Sequence, residues 1–385
     1  MKRICLLLIC CLMLTALPVQ ATQLDVPGKS ALLMDMTTGK VLYEKNAHEK
    51  LAPASVTKVM TMLLIMEAID SGRIGWNDTV TASEAAAAKG GSQIYLKVGE
   101  SMTVSDMLKS IAVSSANDAA CAMAEFIAGS EAAFVEKMNQ RAKDLGMENT
   151  LFANCTGLDD EADASKHYTS AYDIALMSRE LMMGHPDIMK FTTIWMDTVR
   201  DGAFGLANTN KLVRFYNGAT GLKTGFTSSA GYCLSATASR DGLSLVAVVM
   251  GAETSQDRFA ACKQMLDYGF ANFALVQPEI PQTNQVAVKL GKSSLVTAIP
   301  SEDVKLLIDK SQRGEITTQI TLEESVTAPV SKGQKLGTLT VKAGDQILSQ
   351  VNLVAEEAVE RLGWWDVFTQ ILRKLCMSKG VSPCA

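Results

Sequence analysis

The chain has 385 residues, 48% of them apolar and 20% charged, with a formal net charge of −5 at neutral pH. A mild acidic excess lacks the basic footprint that nucleic-acid binding needs, and three histidines without an H-E-x-x-H pattern leave zinc hydrolysis no ligand set. The length exceeds one ordinary domain, so two are expected.

Met1-Lys2-Arg3, an apolar run from Ile4 to Leu17 and then Pro18-Val19-Gln20-Ala21 read as a secretory signal, residues 1–21, cut after Ala21. The run is too short to span a bilayer comfortably. Ile9 stands before Cys10 where lipid attachment wants a small residue, which argues against a lipoprotein. Losing Lys2 and Arg3 takes the net charge from −5 to −7. Cys121, Cys155, Cys233, Cys262, Cys376 and Cys384 remain, without a C-x-x-C pair. They read as small buried hydrophobes, with a Cys376–Cys384 pairing left open.

Residues 22–278 form the first expected domain. Ser30 to Tyr43 reads as a hairpin turning around Thr38-Gly39. Val56 to Ile69 is apolar nearly all round and marks a buried helix. Ser55 opens it, where the helix end offers free N–H groups and partial positive charge. Lys58, three residues on, returns to the same face. Burial and a second lysine, Lys223, would lower its pKa, making it a base for the Ser55 hydroxyl. Metal ligands and cofactors play no part in that chemistry.

Ser115-Ala116-Asn117 fits a tight loop between helices. Ser115 can relay a proton to a leaving amine, and Asn117 can bond a substrate amide and the Lys58 side chain. Lys223-Thr224-Gly225 should lie on a strand bordering the cleft. Lys223 supplies charge, Thr224 a hydroxyl for a terminal carboxylate, and Gly225 room for close backbone approach. The N–H groups of Ser55 and Phe226 would form an oxyanion hole. Tyr232–Ala238 and Leu243–Met250 read as strands joined at Asp241-Gly242, and Arg258–Phe273 as a closing helix. Strands at both ends around a helical insert predict an antiparallel sheet flanked by helices, an α/β (α+β) domain. His167 reads as exposed loop.

Beyond Pro278-Glu279-Ile280-Pro281 the chain alternates apolar and polar residues between glycine-containing turns. Residues 279–354 read as a small all-β domain, its clearest strands being Val286–Leu290, Ile316–Leu322 and Ile347–Val354. Residues 355–385 read as an amphipathic membrane-associating helix and tail. Trp364, Trp365, Phe368, Ile371, Leu372 and Leu375 share one face, and Asp366, Gln370, Arg373 and Lys374 the other.

The order S-x-x-K, S-x-N, K-T-G is that of serine enzymes acting on β-lactams and their peptide analogues. Pro53-Ala54-Ser55-Val56-Thr57-Lys58, Asn154 through Leu158 with Tyr168–Asp173, and Gly221-Leu222-Lys223-Thr224-Gly225-Phe226-Thr227 carry a closer likeness. The chain resembles the penicillin-binding D-alanyl-D-alanine carboxypeptidases of low molecular mass, over most of its mature length, and most closely their Gram-positive members. That resemblance implies a β-lactamase/transpeptidase-like catalytic domain, peptidoglycan stem peptides as substrate, β-lactams as covalent inhibitors, and attachment to the outer face of the cytoplasmic membrane. It also implies that Arg258 helps hold the substrate's terminal carboxylate. Ala116, Phe226 and Thr156 depart from residues that other members carry there. A class A-like β-lactamase with Glu161 as its deacylating glutamate, a D,D-endopeptidase and a non-catalytic wall-binding protein remain alternatives.

Overall fold

The computed structural model describes residues 24–159, 166–280, 284–310 and 316–377. The signal segment, Glu161 and Cys384 lie outside these residues, as do the side chains of Gln370, Lys374, Leu375 and Cys376.

Strands β1 (Ser30–Asp35) and β2 (Val41–Lys45) form the first hairpin; β3 (Ala219–Thr227), β4 (Gly231–Arg240) and β5 (Leu243–Ala252) complete a five-stranded antiparallel sheet. Its order is β2-β1-β5-β4-β3, with Ser30 opposite Met250 and Asp35 opposite Leu245. Asp241 and Gly242, both at positive φ, turn β4 into β5, as a two-residue hairpin requires. Both ends of the domain sequence thus meet in one sheet, as their composition predicts.

The apolar runs of β1 and β5 are continuous because both sheet faces are covered. Leu32, Met34, Val246, Val248 and Met250 point into the larger core with the helical block. Ala31, Leu33, Leu245, Ala247 and Val249 point the other way. The helical block includes α1 (Lys58–Asp70), α2 (Val104–Ser114), α3 (Asn117–Ala128), α4 (Glu131–Asp144) and α5 (Ala171–Gly184). Helix α6 (Ser255–Asn272) closes the second face through Ala261, Cys262, Met265 and Leu266. Its Thr254–Asp257 capping box starts it cleanly.

One local expectation is corrected. Ser55 does not open an α-helix; it sits in a 3₁₀ turn, Ala54–Thr57, that runs into α1. Three residues per turn place Lys58 over Ser55 more directly than an α-turn would.

Strand β6 (Phe273–Val276) follows α6 and pairs with β9 (Leu306–Asp309). The remaining strands are β7 (Gln285–Lys289), β8 (Leu295–Pro300), β10 (Ile316–Leu322), β11 (Ser325–Thr327), β12 (Lys335–Ala343) and β13 (Gln346–Ala355). They form a six-stranded sheet in the order β10-β12-β13-β8-β7-β11. Its own core runs from Val286 to Val359. Helix α7 (Trp364–Met377) follows, with Trp364, Trp365, Phe368, Ile371 and Leu372 all exposed. Among the described residues no helix is long and apolar enough to cross a membrane.

Candidate active site

Ser55 lies at the meeting of the 3₁₀ turn with edge strand β3. A Cβ placed on Gly225 would fall 2.7 Å from the Pro53 carbonyl oxygen and 3.1 Å from the Ser55 nitrogen. Only a glycine lets the two backbones come this close, the approach that the K-T-G motif predicts. Gly157 is tighter still: at φ +85° its Cβ would stand 1.9 Å from the Ala54 carbonyl oxygen. Ala54 itself has φ +48°, a left-handed conformation that alanine adopts at a cost. The nucleophile segment is thus gripped between two glycines.

The Lys58 side chain is wholly buried. Its Nζ donates to Ser55 Oγ at 2.9 Å and to the Thr156 carbonyl at 2.9 Å. The Asn154–Leu158 loop supplies that carbonyl, and it is tied down locally. Asn154 Oδ1 accepts from the Gly157 N–H at 2.7 Å, and Thr61 Oγ1 donates to the Cys155 carbonyl at 2.6 Å.

Ser115 and Asn117 join α2 to α3. Ser115 caps α2 in a left-handed conformation at φ 64° and is nearly buried. Asn117 does not make the expected bond to Lys58: its Nδ2 donates to the Gly90 carbonyl at 2.7 Å, and its backbone N–H donates to Ser92. Asn117 Oδ1 is buried with no hydrogen-bond partner among the described residues. An unmatched acceptor at this depth costs about 1–3 kcal/mol. A substrate amide would relieve that cost.

Lys223 is also wholly buried, and its Nζ donates to the Thr224 carbonyl at 3.0 Å. Burial holds its pKa well below the usual lysine value, and repulsion from Lys58 and Arg258 adds to the effect. Thr224 Oγ1 donates to Thr209 Oγ1 at 2.7 Å, and the Thr209 N–H donates to the Val113 carbonyl. Thr209 therefore joins the third motif to the end of α2. It belongs to no motif, and nothing local in the sequence points to it.

Arg258 sits behind β3. Its Nη1 donates to the carbonyls of Gly225 at 2.8 Å and Cys233 at 3.3 Å, while Nε is buried with no hydrogen-bond partner among the described residues. Tyr232 and Phe259 flank the guanidinium. The Phe226 side chain is about half exposed and packs on Tyr232 with ring centroids 4.3 Å apart.

His167 is corrected from exposed loop to buried neighbour of the site, 5% exposed. Its Nδ1 accepts from the Ala153 N–H at 3.1 Å, so the neutral ring donates from Nε2 to Thr57 Oγ1 at 2.8 Å. Burial lowers its pKa to about 4.

Cys121, Cys155, Cys233 and Cys262 are buried free thiols, as small hydrophobes would be. Among the described residues Glu67, Glu180 and His185 lie close enough to share a cation, but Arg141 already bridges the two carboxylates, 2.6 Å from Glu67 and 2.5 Å from Glu180.

Residues 17–254 match the D-alanyl-D-alanine carboxypeptidase model of peptidase family S11. The chain belongs to this family. Residues 279–361 match the C-terminal domain of penicillin-binding protein 5. The chain is 46% identical over 352 residues to D-alanyl-D-alanine carboxypeptidase DacF of Bacillus subtilis (strain 168), covering 90% of this chain and 89% of the relative. It is 34% identical over 359 residues to DacC of Escherichia coli (strain K12), covering 89% and 88%. Among solved structures, penicillin-binding protein 5 from Haemophilus influenzae superposes with a TM-score of 0.76 at 30% identity, covering 89% of this chain and all of that one (100%). Ampicillin-bound penicillin-binding protein D2 from Listeria monocytogenes superposes with a TM-score of 0.59 at 32% identity, covering 64% and 99%.

Proposed function

We propose that the protein is a serine-type D-Ala-D-Ala carboxypeptidase that removes the terminal D-alanine from peptidoglycan pentapeptides through a Ser55 acyl-enzyme. The observation that carries this reading is the 2.9 Å contact between Lys58 Nζ and Ser55 Oγ, made by a wholly buried lysine. A buried amine in that place takes the hydroxyl proton as Oγ attacks the carbonyl between the two D-alanines. The Ser55 and Phe226 N–H groups receive the oxyanion. Ser115 passes a proton to the departing amine of D-alanine, and the C–N bond breaks. Water then cleaves the ester and restores Ser55.

Asn117 holds the substrate amide through its unmatched Oδ1. Lys223 and the Thr224 hydroxyl receive the terminal carboxylate. Arg258 acts from behind the strand through the Gly225 carbonyl and adds positive charge. Penicillin acylates the same serine and is released slowly.

Residues 22–278 form the catalytic domain and those from 279 the β-domain, whose core takes in Val359 and so passes the expected limit at 354; the segment beyond Leu362 reaches the membrane. The protein is exported, and helix α7 lays its Trp-rich face on the outer surface of the cytoplasmic membrane of a Gram-positive cell. Paired tryptophans suit the headgroup zone.

The deciding experiment is D-alanine release from a wall pentapeptide by wild type and Ser55→Ala. Release by wild type alone supports the reading. Fast penicillin turnover with little D-alanine release would replace it with a β-lactamase.

A further inference from the structure

Glu131 opens α4, where the helix end favours a negative charge. It is mostly buried, and both of its oxygens are in use. Oε2 pairs with Lys89 Nζ at 2.7 Å. Oε1 accepts from the Cys155 N–H at 3.1 Å and from the Cys155 thiol at 3.1 Å. The Cys121 thiol approaches Oε2 at 3.9 Å. Burial pushes the carboxyl pKa up, but the bonds from Lys89 and Cys155 outweigh it and leave the group below its ordinary value.

The two segments held by this carboxylate are the ones that hold the site. Lys89 leads into Gly90 and Ser92, whose carbonyls accept from Asn117 Nδ2 and the Asn117 N–H, each at 2.7 Å. Cys155 precedes Thr156, whose carbonyl accepts from Lys58 Nζ. One anion therefore ties together the supports of the S-x-x-K lysine and the S-x-N asparagine.

We propose that Glu131 is a positioning residue for the reaction: its carboxylate sets the Thr156 carbonyl, and through it the Lys58 amine, while holding the Lys89–Ser92 strip against Asn117. This rests on the reading of Ser55 and Lys58 given above. A displacement of even 1 Å between a base and its nucleophile slows acylation strongly. Glu131→Gln keeps the shape but sets an amide donor against either Lys89 or the Cys155 N–H, so one of the two ties fails.

The test is the rate of Ser55 acylation by fluorescent penicillin in the full chain, divided by the number of sites that the same reagent titrates. Wild type and Ser55→Ala run beside it; an unlabelled wild type would sink the Ser55 reading rather than this one. For Glu131→Gln the rate per titrated site should fall about tenfold. Lys89→Met, which breaks the tie from its other end, should lower it about threefold. A purely architectural glutamate would reduce the number of titratable sites and leave the rate per site within twofold of wild type, and that result overturns the proposal. If Glu131→Gln does not fold, Lys89→Met decides by the same criterion.

Discussion

Lys58 Nζ stands 2.9 Å from Ser55 Oγ, and the carbonyl that steadies it belongs to Thr156, 98 residues further along the chain. The 3₁₀ turn brings the two side chains to one face. The distant loop then fixes which way the amine points. Lys58→Arg keeps a cation of similar reach but one that does not deprotonate in a protein. Acylation by penicillin and D-alanine release should both fall by about 10²–10⁴-fold. Stopped-flow acylation measures the first directly, and near-normal rates would remove Lys58 from the role of base.

Gly157→Ala should damage both fold and site. The added Cβ meets the Ala54 oxygen at 1.9 Å, at a residue whose φ is +85°. Backbone must move, and the strain together with the overlap should cost on the order of 2–4 kcal/mol in urea unfolding. Penicillin labelling should drop with it. Full labelling and unchanged stability would mean that the loop shifts freely.

Stability should fall as the solution is acidified across the range of His167. The unfolded histidine binds its proton near pH 6.5, whereas the buried ring waits until about pH 4. Its contribution is complete above pH 6.5 and is lost as the pH falls toward 4, because the unfolded state takes up the proton first. That gap corresponds to about 3 kcal/mol. His167→Gln should flatten this part of the stability–pH curve in denaturant titrations, and an unaltered slope would place the titration elsewhere.

Thr209→Val removes the hydroxyl that accepts from Thr224 at 2.7 Å. A neutral hydrogen bond of this kind contributes about 1 kcal/mol. KM for the pentapeptide should rise about fivefold with kcat less affected, because on binding the single Thr224 proton turns to the terminal carboxylate and the Thr209 hydroxyl is then the donor that keeps the Thr224 oxygen in place. A change in kcat alone would argue against that assignment.

Membrane association should depend on α7. The cut belongs after Leu362, because Val359 packs in the β-domain core and bridges to Val330. The shortened protein should leave the membrane fraction while hydrolysing soluble peptide at the wild-type rate. Persistent sedimentation with membranes would show that another surface does the anchoring.

Much of the sheet was legible. Strands β1, β4 and β5 announced themselves because apolar runs bounded by turn residues have few other uses, and Asp241-Gly242 marks a hairpin by its φ requirements alone. Strands β8, β9, β11 and β12 were not picked out. In β9, for example, Ile308 is buried and Leu306 half-buried against neighbours that local alternation does not reveal. His167 looked like loop because its segment is polar. It is buried because Thr57 and the Ala153 N–H occupy both ring nitrogens.

The sequence by itself determined the pairing of Ser55 with Lys58: they are three apart, and any helical turn brings such a pair together. It also pointed to close backbone approach at Gly225 but gave no role to Gly157. Only the tertiary structure decided that Pro53–Ser55 backbone fills the space beside both glycines, that Asn117 turns to Gly90 rather than Lys58, and that Thr209 meets Thr224 while Glu131 meets Lys89 and Cys155. Those relationships join segments tens of residues apart, so they follow from how the sheet and helices pack, which no local spacing encodes.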